Sequence, residues 1–426
     1  MTTTLITNAT IFDATGSDTF TGDVLVEGNT IKSVTNGSSG ASADVTIDGS
    51  GKFLMPGMTE GHAHLSFDAF TCTEDLISPP PEEHAFLTAR VAKKLLDMGF
   101  TSAYSASEAK LRLAVAVRNE VDAGRLPGPR IRAGSLEITV SGALGDESRL
   151  HNPRNCHNLS NGTSPSIVID GVEEMRKAVR ISCREGCDNI KLDVSGDPFY
   201  PGIPAHSTPM ALDEVQMAVD TAHSFGKMVN AHARSIESVR RCAVAGVDMI
   251  YHAEYTDEET LDLLEAAKDR VFVAPTMGLF HTMLHEGEAH GMPRAVAEMM
   301  GIPALIEASV ATHTALRKRG IRHLIGGDYG FTWNMQGTQA RDLQYFVDYY
   351  GYTPAEALIC ATRNGGLAMR AQGDLGTIEA GKLADMVLVD GNPLSDLSVL
   401  TDIDKIVMVM KDGAVQRMSD SLVSKG

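Results

Sequence analysis

The segment Leu54-Met55-Pro56-Gly57-Met58-Thr59-Glu60-Gly61-His62-Ala63-His64-Leu65 is the part of the chain from which the fold is best inferred. An apolar start and a Pro-Gly step are followed by two histidines that are separated by one residue. Because side chains alternate between the faces of a β-strand, His62 and His64 point in the same direction. Two imidazoles at the end of one strand can hold a divalent metal ion. An isolated His-x-His is more often a solvated loop, so a metal site requires further ligands elsewhere in the chain.

Composition limits the class of protein. The chain has 426 residues, of which 43% are hydrophobic and 22% charged, as in an ordinary globular protein. An α/β barrel takes about 250 residues, which leaves room for an accessory domain. The net charge of -18 argues against nucleic acid or an anionic membrane surface as a partner, so a small-molecule substrate is expected.

Targeting signals and cysteine pairs are both missing from the sequence. The first eight residues, MTTTLITN, lack the basic and apolar regions of a signal peptide. No apolar run approaches the roughly 18 residues that span a bilayer. The six cysteines are scattered and form neither a C-x-x-C motif nor a disulfide framework. We therefore expect a cytoplasmic protein with reduced thiols.

Both ends of the chain are predicted to form β-strands. Residues 1–53 alternate short apolar runs with Gly and Asn turn signals, and two apolar runs near the C-terminus repeat this pattern. Neither end is long enough to form a core of its own. We therefore predict one small composite β-sandwich domain, built from residues 1–53 plus 375–426, beside a barrel formed by residues 54–374.

Between these ends, alternating strand and helix patterns predict a (β/α)8 TIM-like barrel, which is an α/β fold. The predicted strands are 53–60, 100–105, 130–139, 189–194, 228–232, 248–252, 271–275 and 322–328. The predicted helices are 82–98, 107–123, 171–186, 212–225, 235–245, 257–269, 293–319, 339–350 and 354–369. The alternative is an open doubly wound sheet, but no G-x-G-x-x-G or phosphate loop follows the first strand.

Long loops follow several predicted strands, and in a barrel such loops form the C-terminal face, where barrel enzymes have their sites. They cover residues 65–81, 140–169, 195–211, 276–292 and 329–338. We expect residues 140–169 to form a lid or rim. The loop side chains that are candidates for an apolar wall or for other substrate contacts are Tyr329, Phe331, Trp333, His206, His281, His285 and His290.

Polar residues lie in or at the ends of several predicted barrel strands, on what would be one face of the barrel. Each alone has an ordinary structural explanation, but together they are best explained as a metal site. The members of this set are His62, His64, Lys191, His232, His252 and Asp328.

The set is suited to two divalent metal ions. Imidazole and carboxylate ligands favour zinc, with cobalt or manganese as alternatives. Lys191 would repel a cation as an ammonium, but a buried lysine of lowered pKa can react with carbon dioxide to give a bridging carbamate. The His-x-His pair and Asp328 would then hold one ion, and the other two histidines the second. A hydroxide between the ions would attack a carbonyl carbon, and Asp328 would pass its proton to the leaving nitrogen.

Several motifs resemble those of the amidohydrolase superfamily, and the resemblance extends over the whole chain. They are Pro56-Gly57-x-x-x-x-His62-x-His64, Ile190-Lys191, His232-Ala233, Ile250-x-His252, Gly327-Asp328 and the tail from Gly376 to Asp385. The resemblance implies a metal-dependent hydrolase whose members are often oligomeric, so a homo-oligomer is expected. Lys191 indicates a binuclear branch with a carboxylated lysine rather than a mononuclear deaminase.

Local strings within this branch are similar to molinate hydrolase and the phenylurea hydrolases, and more distantly to Xaa-Pro dipeptidases and ochratoxinases. The strings are Leu144-Gly145-Asp146-Glu147, Asn189 to Asp197, and Gly326 to Trp333. They imply hydrolysis of a C–N bond in a small amide, carbamate, thiocarbamate or urea. The alternative is a carboxypeptidase-like, Xaa-Pro dipeptidase-like or ochratoxin-type amidase.

One departure from the dipeptidase pattern bears on this choice. Leu144 stands where dipeptidase-like relatives typically carry a histidine, which disfavours a peptide substrate. Arg149 and Arg154 on the same loop offer cations for a substrate carboxylate, so the alternative stays open. A deaminase leaves Lys191 without a role, and a non-catalytic barrel does not require the complete ligand set.

Overall fold

A computed structural model gives the structure of residues 2–146, 165–199, 202–369, 373–419 and 422. The strands are β1 Thr3–Ile11, β2 Phe20–Glu27, β3 Thr30–Asn36, β4 Val45–Asp48, β5 Phe53–Pro56, β6 Met58–Ala63, β7 Phe100–Ser105, β8 Arg130–Arg132, β9 Gly134–Val140, β10 Ser166–Ile169, β11 Asn189–Asp193, β12 Met228–Ala233, β13 Met249–His252, β14 Phe272–Ala274, β15 Arg322–His323, β16 Met386–Val389, β17 Ile406–Lys411 and β18 Ala414–Met418. The α-helices are α1 Thr73–Ile77, α2 Pro81–Asp97, α3 Leu113–Asp122, α4 Val172–Arg184, α5 Leu212–Ser224, α6 Ile236–Ala245, α7 Glu258–Ala266, α8 Met277–His285, α9 Arg294–Met299, α10 Ile302–Lys318, α11 Arg341–Tyr350, α12 Pro354–Ala361 and α13 Arg363–Ala368. Short 3-10 helices cover Gly287–His290, Leu397–Leu400 and Ile403–Lys405.

Strands from both ends of the chain form one sheet. Its order is β18-β17-β16-β5-β1-β2-β3, with β4 paired to β1. Strand β5 lies between a parallel neighbour, β1, and an antiparallel neighbour, β16. Apolar side chains of these strands, among them Ile11, Val24, Leu54, Met386 and Met408, pack into a core of their own. The two ends of the chain are therefore held in the same sheet.

The central strands form a parallel barrel in two hydrogen-bonded sections. Their orders are β6-β7-β8 and β10-β9-β11-β12-β13-β14-β15. The sections are joined through Ala133, the residue between β8 and β9, and by a hydrogen bond from Gly61 N to Ile325 O of 3.0 Å. Strands β8 and β9 thus act as one barrel strand, and β10 is an addition at the edge. The predicted α/β barrel with a separate sheet domain is confirmed.

The two ends of the barrel differ in character. Apolar residues near the N-terminal ends of the strands, such as Met228, Met249 and Phe272, pack together as a core. The candidate histidines and Asp328 lie instead towards or beyond the C-terminal ends of their strands, while Lys191 lies in the middle of β11. Among the described residues, no helix has the length and apolar character that a membrane crossing requires.

Two predicted strands are interrupted. The strand predicted at 53–60 is two strands, because the chain leaves the terminal sheet after β5 and enters the barrel as β6. A side chain at Gly57, where this change occurs, would place its Cβ 2.1 Å from Thr101 Oγ1, so the close approach requires glycine. The strand predicted at 130–139 is broken at Ala133.

Two predicted helices are shorter or divided, in both cases at a left-handed residue. The helix predicted at 107–123 begins only at Leu113, after Arg112 with a φ of 78°. The helix predicted at 293–319 is divided at Gly301, which also has a φ of 78°. Left-handed backbone cannot continue a right-handed helix, so each of these residues sets a boundary.

Three further predictions differ from the structure. The helix predicted at 354–369 is divided at Thr362 into α12 and α13. The loop prediction for 276–292 is wrong, because helix α8 follows strand β14 almost directly. The loop predicted at 140–169 includes strand β10, while residues 147–164, with Arg149, Arg154, His151 and His157, lie outside the described residues.

Candidate metal centre

Three of the predicted ligands converge at the end of the first barrel strand. The ligand atoms of His62, His64 and Asp328 all lie within 4.8 Å of one another. His64 Nε2 is 3.2 Å from Asp328 Oδ1. Within the described part of the chain, this is the only group of three or more His, Cys, Asp or Glu side chains that meets this distance.

The surroundings of His62 fit a metal ligand. Its two ring nitrogens are buried and have no hydrogen-bond partner among the described residues. Burial lowers the pKa of His62 well below its usual value, so the ring is neutral and carries a lone pair. An unpaired buried nitrogen costs free energy, and coordination of a metal ion would remove that cost.

His64 is oriented by its other ring nitrogen. Nδ1 lies 2.9 Å from the carbonyl oxygen of Ser107, so it is the protonated nitrogen and donates this bond. Nε2 is then left with the lone pair, on the side of Asp328. Such a bond from the second nitrogen is the usual way in which a metal-binding histidine is fixed. The ring also stacks on Phe67, with centroids 4.4 Å apart.

Asp328 adopts a left-handed backbone conformation with a φ of 58°. Asparagine and aspartate tolerate this region better than other side chains, and Asn334 Nδ2 donates to the Asp328 carbonyl at 3.0 Å. Burial by itself would raise the pKa of Asp328, but the basic side chains around it, among them His64 and Lys191, outweigh burial. Its pKa is therefore held well below the usual range, and the carboxylate is ionised at neutral pH.

The other two predicted histidines form a second pair beside the first group. The ring centroids of His232 and His252 are 4.3 Å apart, and that of His252 is 5.5 Å from His62. Burial lowers the pKa of both well below the usual value, so both rings are neutral. His232 Nε2 donates to Gly196 O at 3.0 Å and His252 Nδ1 lies 2.6 Å from Thr276 Oγ1. One ring nitrogen of each remains available for a metal.

Lys191 lies at the same end of the barrel but faces two carboxylates. Its Nζ is 3.7 Å from Glu137 Oε1 and 3.8 Å from Asp193 Oδ1. The sequence interpretation missed both acids. Two signals were present in the sequence: Asp193 is two residues after Lys191 and so shares its face, and Glu137 interrupts an apolar strand. The carbamate on Lys191 stays a prediction.

A buried arginine adjoins the site and was also missed. Arg234 is two residues after His232, and its Nε donates to Asp197 Oδ2 at 2.9 Å. Its NH1 donates to Glu254, and the guanidinium lies over the ring of Phe280. Burial raises the pKa of Glu254 to about 7, although the adjacent Arg234 acts in the opposite direction.

A cavity of about 470 Å³ opens above these residues. Phe331 and Trp333 line it, as predicted, but Tyr329 does not, because its hydroxyl is buried and donates to Asp342 Oδ1 at 3.0 Å. The candidate loop histidines lie away from the described lining of the cavity: His206, His281, His285 and His290. The residues that line it at its apolar side are Phe67, Phe70, Leu76, Leu144, Phe199, Leu279, Met292, Met300, Phe331 and Trp333.

Comparison with known proteins gives three kinds of match. A family model described as "Amidohydrolase family" matches residues 53–415. The ochratoxinase of Aspergillus niger is 27% identical over 376 residues, which cover 84% of this chain and 75% of that protein. A solved prolidase structure, complexed with N-methylphosphonate-L-proline, is 26% identical with a TM-score of 0.87, covering 98% of this chain and 100% of that one. Molinate hydrolase shares the fold, at 21% identity and a TM-score of 0.78, covering 97% of this chain and 94% of that one.

Proposed function

This chain belongs to the amidohydrolase family, and from this premise we propose that it is a metal-dependent hydrolase for a small amide, carbamate or urea. The resemblance predicted from the motifs is confirmed, because the family match includes every strand of the barrel. As a member of this family, the chain is a hydrolase that acts on C–N bonds. The observation that carries the proposal is the convergence of His62, His64 and Asp328.

The proposed ligands fall into two groups. His62, His64 and Asp328 would hold one divalent ion, with zinc preferred and cobalt or manganese as alternatives. The neighbouring pair, His232 and His252, would hold a second ion. Bound ions of this kind supply Lewis acidity and lower the pKa of water towards neutrality. The neutral imidazoles and the ionised carboxylate are the protonation states that such ligands require.

Asp328 is the proposed acid–base residue. Its carboxylate is ionised, it lines the cavity, and its Oδ1 is held 3.2 Å from His64 Nε2. An ionised carboxylate in this position can take a proton from the attacking water and deliver it to the leaving nitrogen. That transfer is needed because an amine anion is a poor leaving group.

The most detailed part of the proposal is a carbamate on Lys191. A carbamate formed from Lys191 and carbon dioxide would add an anionic ligand between the two groups of histidines. Lys191 is buried and lines the cavity together with the four histidines, which supports this. Glu137 and Asp193 oppose it, because their carboxyl groups lie 3.7 and 3.8 Å from Lys191 Nζ and disfavour a further anionic group there. Two metal cations would be needed to offset that repulsion.

A second candidate is an amidase that acts on substrates with a free carboxylate. Its support is the 27% identity with ochratoxinase and the 26% identity with a prolidase. Such a substrate needs a cation for its carboxylate. Arg234 already pairs with Asp197 and Glu254, so this candidate depends on residues such as Arg149 or Arg154, which lie outside the described residues.

The test is a hydrolysis screen with the purified full-length chain. Amides, carbamates, ureas and dipeptides are supplied with zinc, cobalt or manganese, and amine release is measured. We expect turnover of at least one neutral C–N substrate, loss of activity with a chelator, and recovery with metal. His64→Asn should remove both the activity and the metal. Less than about one metal per chain, together with no metal-dependent activity, would refute the proposal.

A further inference from the structure

A continuous series of aromatic rings leads away from the candidate ligand His64. The ring of Phe67 stacks on His64, and Phe70 follows with its centroid 5.1 Å from that of Phe67. Phe331 lies 4.3 Å from Phe70, and Trp333 lies 5.1 Å from Phe331. Phe199 lies 6.0 Å from Phe331 and closes the group. We call Phe67, Phe70, Phe199, Phe331 and Trp333 the aromatic wall; all five line the cavity.

Backbone hydrogen bonds hold two segments of the wall together. Phe70 N donates to Gly330 O at 3.0 Å, and Thr332 N donates to Phe70 O at 3.2 Å. Gln336 Nε2 donates to the carbonyl oxygens of His64 and Phe67, at 2.9 and 3.0 Å. The loop after β6 and the segment after β15 are therefore fixed to each other and to a metal ligand. The position of the wall is therefore set by contacts within the chain.

The wall leaves apolar surface facing the cavity. Phe70, Phe199 and Phe331 are partly exposed and line the cavity, and Trp333 is 7% exposed. A planar apolar group that entered the cavity would remove this surface from water and could stack on the rings. Because the series begins at His64, such a group would lie close to the bond that reacts.

Among the described residues, each of the two cationic side chains that line the cavity, Lys191 and Arg234, lies close to two carboxyl groups. Lys191 lies between Glu137 and Asp193, at 3.7 and 3.8 Å. Arg234 donates to Asp197 at 2.9 Å and also contacts Glu254. A substrate carboxylate would have to displace one of these acids, or approach Glu137 and Asp197, which also line the cavity. A neutral group avoids both costs.

From these observations we propose that the substrate carries a neutral aromatic ring, next to the C–N bond that is cleaved, and that this ring packs on the aromatic wall. The identity of the reacting bond rests on the proposed function. The wall residues that set this preference are Phe70, Phe331 and Trp333, since they continue the ring series beyond Phe67, which stacks on His64, and line the cavity.

Trp333 makes the proposal testable without turnover, because it is the only tryptophan of the chain and belongs to the wall. Binding of three amides to the full-length protein is followed by its fluorescence: acetanilide, N-cyclohexylacetamide and 4-acetamidobenzoate. They present a neutral aromatic ring, a neutral saturated ring and a charged aromatic ring. We expect acetanilide to bind at least about threefold more tightly than the cyclohexyl amide, and about tenfold more tightly than the benzoate.

Variants show whether the wall causes the preference. Phe331→Leu and, separately, Phe70→Leu should weaken acetanilide binding about fivefold and leave the cyclohexyl amide almost unchanged. Phe225→Leu is the matched control, because Phe225 is 52% exposed and does not line the cavity. Folding of each variant is checked by thermal unfolding. If Phe331→Leu is unstable, Phe70→Leu provides the test.

The outcomes separate this inference from the proposed function. Equal binding of the two neutral rings, tighter binding of the benzoate, or no fluorescence change with any of the three amides would overturn the inference. Binding as expected without hydrolysis of any C–N substrate would count against the proposed function alone. Hydrolysis confined to aliphatic or carboxylate-bearing substrates would support the function and overturn the inference.

Discussion

The ring of His62 lies flat against the ring of Tyr251, with centroids 3.8 Å apart and planes inclined by 9°. Tyr251 is fully buried, and its hydroxyl donates to the carbonyl oxygen of Gly61 at 3.2 Å. The tyrosine therefore fixes both the face of the imidazole and the backbone next to it. Since neither ring nitrogen of His62 has a hydrogen-bond partner among the described residues, this stack is what orients the ring.

Replacement of Tyr251 should consequently weaken metal binding. We expect Tyr251→Leu to raise the dissociation constant for zinc by about 10- to 100-fold, as the loss of an orienting partner does at other metal sites. Tyr251→Phe is the control: it keeps the ring and loses only the hydroxyl contacts to Gly61 O and Asn230 Nδ2, so its zinc affinity should stay within about threefold of wild type. Competition with a chromophoric chelator measures both. Equal losses in the two variants would contradict a role for the stack.

Removal of metal should lower the free energy of unfolding, and this effect should depend on His62. A ligand at 100 times its dissociation constant adds about 2.7 kcal/mol to the free energy of unfolding. Addition of a strong chelator should therefore shift the urea midpoint of the wild type to lower concentration. His62→Asn should show a much smaller shift, since its site binds metal weakly with or without the chelator. A chelator effect of equal size in both proteins would show that the metal is elsewhere.

Gln336 should matter for stability as well as for the site. Its Nε2 donates to the carbonyl oxygens of His64, Phe67 and Tyr329, at 2.9, 3.0 and 3.0 Å. Gln336→Leu leaves these buried acceptors without this donor, which should cost about 2–3 kcal/mol in urea unfolding.

The matched control for Gln336 is an exposed glutamine. Gln344 lies on helix α11 and donates only to Asp348, at 2.8 Å. Gln344→Leu should change the free energy of unfolding by less than about 0.5 kcal/mol. If the two substitutions have the same cost, the three-carbonyl contact does not contribute to the fold.

The buried ion pairs of Arg234 should behave differently from pairs at the surface. Arg234→Leu leaves Asp197 and Glu254 buried without their partner, which should destabilise the protein by about 3–5 kcal/mol. Arg125 pairs with Glu120 in solvent, and Arg125→Leu should change the urea midpoint far less than Arg234→Leu. Urea unfolding of both variants gives the comparison. A small effect at Arg234 would mean that the two acids become protonated or reach water.

Lys110 predicts a dependence of stability on alkaline pH. Burial lowers its pKa from 10.5 to about 8, and its Nζ donates to Leu76 O at 2.7 Å and lies 2.9 Å from His84 Nδ1. Because the folded-state pKa is below the unfolded value, the folded protein loses this proton first as pH rises. The stabilising contribution of Lys110 is therefore complete above 10.5 and is lost as pH falls from 10.5 to about 8.

The variant Lys110→Met tests the predicted direction of this change in stability with pH. The melting temperature of the wild type relative to the variant should rise between about pH 8 and pH 10, because only the wild type has this group. Subtracting the variant removes the contribution of all other lysines. A flat or falling difference over that interval would show that Lys110 keeps its ordinary proton affinity in the folded protein.

The sequence was most informative for the candidate metal ligands, because histidine and aspartate at the ends of apolar strands have few other roles. The histidines and Asp328 follow strands that are apolar and short, so their position at one end of a barrel could be predicted. The roles of these residues as ligands stay a prediction. What the structure adds is that His62, His64 and Asp328 lie within 4.8 Å of one another.

Other features of the fold and site depend on contacts between distant residues, which the apolar pattern of the sequence does not predict. Glu137 is on a different strand from Lys191, and Asp197 and Glu254 follow different strands from Arg234, so only the closed barrel brings these acids to their partners. The apolar segment after β14 fits both a loop and a helix, and the helix forms because Leu279 and Met283 pack on a distant cluster. The break at Ala133 lies in an unbroken β pattern, so local sequence gives no sign of it.

The position of β5 also has a consequence for the order of events during synthesis. This strand leads directly into the strand that carries His62 and His64, and it is paired on one side with β1 and on the other with β16. Strand β16 contains residues 386–389, which are synthesised after every strand of the barrel. The strand before the histidines therefore gains its second neighbour only after the whole barrel has been synthesised, and metal loading should follow that step. A nascent chain that stops before residue 386 should not retain zinc.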